Sequence, residues 1–451
     1  MSFKQDFAWG VATSAYQIEG AYCEDGKGPS IWDKFCETKG NIFEGHDGTV
    51  ACDHYHRYRQ DVKLMAELGV KAYRFSLSWS RIFPEGTGAV NEAGIAFYQS
   101  LLRELEQYGI TPYITLYHWD LPEALYLRGG WLNPDSPQWF AQYATVVAQR
   151  LGGYAKHFIT FNEPQVFIGQ VFVDGIHAPG YKLPNRDTLR MAHHVMLAHG
   201  LAAQAIRSVL PQAKIGYAPT SSVPVPVSDS PQDVEAARKA FFTMPEDGYW
   251  AWDTAWWSDP VVLGHYPAQG LRVLEEQLPK ISGDDMKNIC QPLDFYGQNI
   301  YRGVPTRATA EGGFETVAYP QGSPKTAIGW HVNFDCLYWG SRFLYERYQK
   351  PIIITENGMS SHDWVSLDGK VHDPQRIDYL HRHLRWLKQA VDEGVDVAGY
   401  FQWSFLDNFE WCNGYNDRFG IVYTDYATQQ RIPKDSYHWY RQVIAQNGEC
   451  L

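Results

Sequence analysis

Eight short segments of this 451-residue chain read as strands, and between most of them lies a stretch with helical periodicity. The strand candidates are FAWGVATSA (7–15), AYRFSLSW (72–79), TPYITLYHW (111–119), HFITFNE (157–163), KIGYAP (214–219), DFYGQNIY (294–301), PIIITENG (351–358) and VAGYFQWSF (397–405). Helical stretches cover 54–68, 92–107, 137–151, 187–209 and 375–393. Gly69 and Gly394 stand just past two of them, where helices commonly end on a left-handed residue. Strands that alternate with helices imply a parallel sheet, and eight such units predict a closed (β/α)8 TIM barrel. An open doubly wound sheet is the alternative, but its Gly-rich first turn is missing. No Ser/Gly-rich linker or low-complexity segment interrupts the chain, so residues 1–451 are expected to form one domain.

In such a barrel the C-terminal ends of the strands face the active site. Gln17 and Glu19 follow the first strand, Arg74 lies on the second, and His118, Trp119 and Asp120 close the third. The fourth ends in Asn162 and Glu163, the sixth carries Asn299 and Tyr301, and the seventh ends in Glu356 and Asn357. The eighth runs into QWSFLDNFEW, with Trp403, Asp407, Glu410 and Trp411. Carboxyl groups, amides and indoles thus converge on one rim, as a polyhydroxylated ligand requires. Aromatic residues make up 15% of the chain, with 17 Trp and 29 Tyr, and those outside the core could stack on sugar rings.

The stretch HFITFNEPQVF (157–167) stops its alternation at Asn162, Glu163 and Pro164. Pro164 lacks a backbone donor and disfavours helical geometry at Glu163, which puts that carboxyl at the mouth of a strand. Glu163 and Glu356 are far apart around an eight-stranded rim, yet side chains there can point inward at each other. Glycoside hydrolysis needs one carboxyl group protonated and another ionised, on opposite sides of the scissile bond. A separation of about 5–5.5 Å would mean retention through a covalent intermediate, and about 6.5–9.5 Å inversion; spacing along the chain does not fix that distance.

Other chemistries lack support. The net charge, 39 − 51 = −12, is spread without long acidic runs, which argues against nucleic acid and anionic membrane as partners. The seven Cys are odd in number and scattered without a C-x-x-C pair, so free thiols in a reducing compartment are expected. No signal peptide, N-x-[ST] sequon or membrane-length apolar run is evident, which makes the expected location cytoplasmic. His54 and His56 lack the context of a metal pair, and no G-x-S-x-G, Walker or G-x-G-x-x-G motif occurs, so no metal or cofactor is expected. Glu19 reads as a structural partner near the barrel mouth. His193, His194 and His199 read as packed or solvated residues of a long helix, and Trp131 and Trp139 as packing.

TFNEP (160–164) and ITENG (354–358) together resemble the acid/base and nucleophile signatures of glycoside hydrolase family 1, the β-glucosidase family. FAWGVATSAYQIEGAY, YRFSLSWSRIFP, LYHWDLP, HAPG and WSFLDNFEW match in the family's order, so the resemblance spans residues 3–446. It implies a retaining β-glucosidase acting from the non-reducing end of small β-glucosides such as cellobiose or aryl glucosides, with Glu356 as nucleophile and Glu163 as general acid/base. It further implies that Arg74, Tyr301 and Asn299 support the nucleophile and that Asn162 holds the sugar 2-OH. By the same resemblance Gln17, His118, Glu410 and Trp411 bind sugar hydroxyls, and Trp403 forms a platform beneath the ring. β-Galactosidase or β-fucosidase side activity and transglycosylation are consistent with it. Phospho-β-glucosidases carry a Ser/Lys/Tyr phosphate grip where this chain has EWCNGYNDRFG (410–420), without Lys and with acidic Glu410, so a non-phosphorylated sugar is expected. A sugar-binding barrel that has lost catalysis is the rival, but both glutamates stand in intact motifs. The chain departs from many relatives at Gln165, where they have Trp; a hydrogen-bonding amide is expected there in the leaving-group site. Oligomeric state, including a homo-oligomer, stays open.

Overall fold

The computed structural model describes residues 3–451. All eight strands form, each ending within a few residues of its expected bounds except the sixth. They are β1 (Ala8–Ala12), β2 (Ala72–Ser76), β3 (Thr111–Tyr117), β4 (His157–Asn162), β5 (Lys214–Ala218), β6 (Phe295–Ala308), β7 (Ile352–Asn357) and β8 (Val397–Trp403). Every neighbouring pair among them is parallel: β1 lies between β8 and β2, and the series closes where β5 meets β6 at Gly216–Phe295 and Tyr217–Tyr296. The result is a closed (β/α)8 barrel and not an open sheet, because the last hydrogen-bonded pairing leaves no free edge in the ring.

Alternation along the strands sorts the core into two shells. Val11, Tyr73, Ile114, Phe158, Ile215, Ile352 and Ile354 belong to the large cluster shared with the helices. Their neighbours Ala12, Ala72, Tyr113, Ile159, Phe295, Ile353 and Phe401 form a second cluster that fills the barrel. A period of two makes this inevitable: one parity meets the helix layer and the other the barrel interior. The helices His54–Leu68 and Glu92–Gln107 have their expected bounds, while Ser136–Leu151, Asn185–Val209 and Pro374–Asp392 begin one or two residues earlier than expected. Gly69 and Gly394 adopt φ of 86° and 98°, the left-handed region that favours glycine at a helix end.

The sixth strand is longer than its alternation predicts. Residues Thr220–Pro226 leave β5 and run parallel beside β6, from Thr220–Asn299 to Pro226–Thr306, and an antiparallel pairing with Phe314–Thr316 carries β6 on to Ala308. Segment 220–226 is short and carries two prolines, so it reads as a loop; pairing with β6 outside the ring makes it a strand. No helix among the described residues is long and apolar enough to cross a membrane. All seven cysteines are free thiols.

Candidate active site

The floor of the barrel mouth is organised around Arg74 on β2, whose side chain is almost fully buried. Its Nη1 donates to Glu356 Oε1 at 2.5 Å and to Thr355 O at 3.0 Å, Nη2 to Asn162 Oδ1 at 2.5 Å, and Nε to Thr115 Oγ1 at 3.2 Å. A buried guanidinium survives only when its donors are satisfied, so this side chain is fixed in place and presents one face to Glu356. Tyr301 donates its hydroxyl to the other carboxylate oxygen, Oε2, at 2.6 Å. Burial and the two nearby glutamates hold the Tyr301 phenol well above its usual range, so it stays a donor. Burial leaves Glu356 above the usual carboxylate pKa, and Arg74 and Tyr301 limit that rise by stabilising its charge.

Glu163 has no cation in hydrogen-bonding reach among the described contacts. Its Oε1 accepts from Asn299 Nδ2 at 2.7 Å, and its backbone N–H donates to Ala218 O on β5 at 2.8 Å. Burial, and then the charge of Glu356, raise its pKa to about 8. Asn299 stands opposite Glu356 in the β6–β7 register, accepts from Thr355 Oγ1 at 2.6 Å, and donates to Asn162 Oδ1 at 3.0 Å. One amide therefore ties the two carboxyl-bearing strands together. The pair is asymmetric: Glu356 bonds a cation and a phenol, whereas Glu163 bonds neutral partners, Asn299 and Thr220.

Two local irregularities aim these groups. Thr160 bonds His199 and Phe161 stacks on Phe140, so two successive residues of β4 face the helix layer. A register shift between Ile159 and Asn162 accompanies this, and Asn162 returns to the barrel mouth. Glu163 then adopts φ 47°, not the extended geometry expected before Pro164. The chain turns there from strand to the wide π-type helix Gln165–Val173 within a residue, and a left-handed conformation makes that reversal. Trp119, His177 and Trp411, at φ of 77°, 71° and 50°, line the same mouth. Such backbone costs about 1–3 kcal/mol each and is held by its surroundings.

A cavity of about 390 Å³ opens between these groups, with Glu163, Glu356, Tyr301, His118, Trp403, Glu410 and Trp411 on its wall. The rings of His118 and Trp403 are nearly parallel, 5.7 Å apart, as are those of His118 and Trp411 at 5.9 Å. Burial and Arg74 keep His118 neutral, and its Nδ1 is buried without a partner. Its Nε2 lies 3.2 Å from Asn162 Nδ2. Burial, followed by Asp417, Glu356 and Glu163, pushes Glu410 well above the usual carboxylate range. Gln17 lies beneath this wall: its Nε2 reaches Phe409 O at 2.9 Å, Asn408 Oδ1 at 3.2 Å and Glu410 Oε2 at 3.4 Å, and its Oε1 accepts from Ser14.

One expectation is corrected. Gln165 is fully buried and lies outside the cavity; its Nε2 donates to Thr220 O at 3.0 Å and its Oε1 accepts from Thr220 N at 3.3 Å. The turn at Glu163 and Pro164 points this side chain back at the β5 end, and Val166 lines the cavity instead. Other strand-end residues also serve the frame. Glu19 accepts from Arg81 and Tyr98, Asp407 binds Lys434 and Arg418, and Asn357 bonds Ile300 O and Tyr400. The cavity wall also includes residues that strand-end reasoning missed, among them Gln170, His177, Arg302, Trp330, Cys412 and Asn413. HAPG contained a signal for His177; Trp330 sits in an irregular loop after β6 and had none.

The sequence pattern of glycosyl hydrolase family 1 matches residues 1–449. β-Glucosidase A of Thermotoga maritima is 43% identical over 452 residues, covering 99% of this chain and 98% of its own. An aryl-phospho-β-D-glucosidase of Bacillus subtilis is 40% identical over 483 residues, covering 100% and 98%. The family 1 β-glucosidase of T. maritima in complex with isofagomine lactam superposes with a TM-score of 0.90 at 43% identity over 99% of both chains.

Proposed function

The chain belongs to glycosyl hydrolase family 1, and on that premise we propose that it is a retaining β-glucosidase releasing terminal non-reducing β-D-glucosyl residues from small, non-phosphorylated β-glucosides such as cellobiose and aryl glucosides. The observation that carries this reading is the asymmetry of the two carboxyl groups. Glu356, whose charge Arg74 and Tyr301 stabilise by direct hydrogen bonds, is the nucleophile; Glu163, with no cation bonded to it, keeps its proton near neutral pH and is the acid.

In the first step a Glu356 oxygen forms a bond to the anomeric carbon while the bond to the leaving oxygen breaks and that oxygen takes the Glu163 proton. Esterification removes the negative charge that helped to raise the pKa of Glu163. Glu163 is now a base: it takes a proton from water as the water oxygen displaces Glu356. Arg74 and Tyr301 stabilise the carboxylate as it leaves, and Asn299 steadies Glu163. Asn162 holds the 2-OH. His118, Glu410 and Trp411, with Gln17 behind Glu410, bind the remaining hydroxyls over Trp403.

The absence of Lys in residues 410–420 favours an unphosphorylated sugar, even though one relative is a phospho-β-glucosidase. Galactosides, fucosides and alcohol acceptors are secondary substrates in this reading. The seven unpaired cysteines favour a cytoplasmic location. The test is the anomer of the first product, followed by NMR during hydrolysis of an aryl β-glucoside. β-Glucose appearing first is the expected result; α-glucose first, or no turnover, overturns the proposal.

A further inference from the structure

One wall of the sugar cavity takes no part in the mechanism. It is formed by Ser221 and Ser222 of the strand added beside β6, by Arg302 on β6 and by Trp330 in the loop that follows. Arg302 is the only Lys or Arg among the cavity's described lining residues, which also include the carboxyl groups of Glu163, Glu356 and Glu410. It forms no ion pair among the described residues. Its one hydrogen bond runs from Nε to Ser222 Oγ at 2.8 Å, and its guanidinium carbon lies 5.9 Å from the Trp330 ring centre. Protein crowded around Arg302 disfavours its charge and lowers its pKa, and no acid offsets that cost. A guanidinium stays charged even so, and here Nη1 and Nη2 are left as two forked donors that match a carboxylate.

Strand register puts this cation beyond the acid. Thr220 bonds Glu163 and pairs with Asn299; two residues further along the same strand, Ser222 pairs with Arg302. Two strand residues advance about 6.5 Å, the order of the distance from a phenol oxygen to a substituent across its ring. Trp330 supplies an aromatic face beside that path: it packs on Tyr301 at 5.1 Å between ring centroids, and Tyr301 bonds Glu356. The residues read as sugar-binding lie elsewhere, on or after β1, β3, β4 and β8.

We propose that Arg302 is a specificity-determining residue that selects β-glucosides of aromatic acids, with the glycosidic oxygen at Glu163 and a carboxylate across the ring on the Arg302 fork. One negative charge matches one unpaired cation, whereas a dianionic phosphate would leave a second charge facing the glutamates. The inference rests on the glucosidase reading for the direction in which the substrate lies, and binding without turnover separates the two. The probes are 4-carboxyphenyl 1-thio-β-D-glucoside and its neutral 4-carbamoylphenyl counterpart, whose sulfur link resists hydrolysis. Both are titrated by calorimetry at pH 7 into the native chain, Arg302→Gln and Arg302→Lys. The native chain should bind the carboxylate at least fivefold more tightly than the amide. Arg302→Gln should abolish that preference, and Arg302→Lys should keep part of it, since the charge remains without the planar fork. Equal binding of the two probes by the native chain, or no binding of the carboxylate, overturns the proposal whatever the variants do. So does a preference that survives unchanged in Arg302→Gln. The oxygen glucosides of the same two aglycones are assayed alongside for kcat/KM. Failure to turn over either one, with the Arg302-dependent preference intact, would remove the glucosidase reading and leave the anion site standing.

Discussion

Glu356 and Glu163 are chemically identical side chains whose neighbours set their tasks. Replacing Glu356 by Ala should lower kcat by several orders of magnitude, and azide should partly restore turnover as the α-glycosyl azide, because the small anion fits where the carboxylate stood. Full activity in that variant would remove the nucleophile assignment. Glu163→Gln should cost little in kcat/KM on substrates with good leaving groups and much on alkyl glucosides, since only the latter need its proton in the first step; an equal loss of kcat/KM on both would count against an acid. The pKa of about 8 makes two further statements. Activity of the native chain should fall as pH rises through that value, because the first step needs the protonated form. Stability should fall over the interval below it: unfolded Glu163 releases its proton at an ordinary carboxylate pKa, whereas the folded chain retains it up to about 8, so the folded state binds the extra proton between the two values and loses stability as pH rises from the first to the second. Glu163→Gln should therefore be more stable than the native chain at pH 8, by on the order of 1–3 kcal/mol, and about equal to it at pH 4, as read by urea unfolding.

The segment after β4 shows how far local pattern reaches. Alternation predicts the strand, and Pro164 predicts its end, but neither indicates that Gln165 turns away from the leaving group. Its amide instead bolts the start of the wide helix to Thr220, where the chain leaves β5 for its added strand beside β6. Gln165→Ala leaves a buried N–H and C=O without partners, at a cost of about 1–3 kcal/mol measured by urea unfolding. The ratio of kcat/KM for aryl over alkyl glucosides should stay within twofold of native; a large change would mean that the amide does meet the leaving group. Trp403 and Trp411, by contrast, were legible as wall residues from their place at the end of β8 and in the segment that follows it.

Across the whole molecule, a buried ionic cluster joins segments that meet only in three dimensions. Lys434, at the start of the last helix, donates to Asp407 Oδ1 at 2.7 Å and to Asp363 Oδ2 at 2.5 Å. Arg376 binds Asp363 and Asp373, and Arg418 binds Asp407 at 2.8 Å. Three acids and three bases thereby fasten the loop after β7 to the loop after β8, which carries Glu410 and Trp411. Lys434→Met removes one cation from a balanced set and should destabilise the chain by about 3–5 kcal/mol in urea unfolding. KM for glucosides should rise more than kcat falls, because the displaced loop binds sugar and does not carry the reacting carboxyl groups. A kcat loss with KM unchanged would contradict that placement.

The sequence by itself determined the strands, the main helices and the positions of the two glutamates, because a period of two, a period near 3.6 and the turn chemistry of Gly and Pro are properties of neighbouring residues. The tertiary structure alone decided which of those strand-end groups meet. Arg74 reaches Glu356 across 282 positions of chain, and Asn299 reaches Glu163 across 136. The register shift in β4 returns Asn162 to the mouth, and a single left-handed residue sends Gln165 away from it. Direction at a strand end depends on register against a partner strand, and the chain acquires that partner only when the barrel closes.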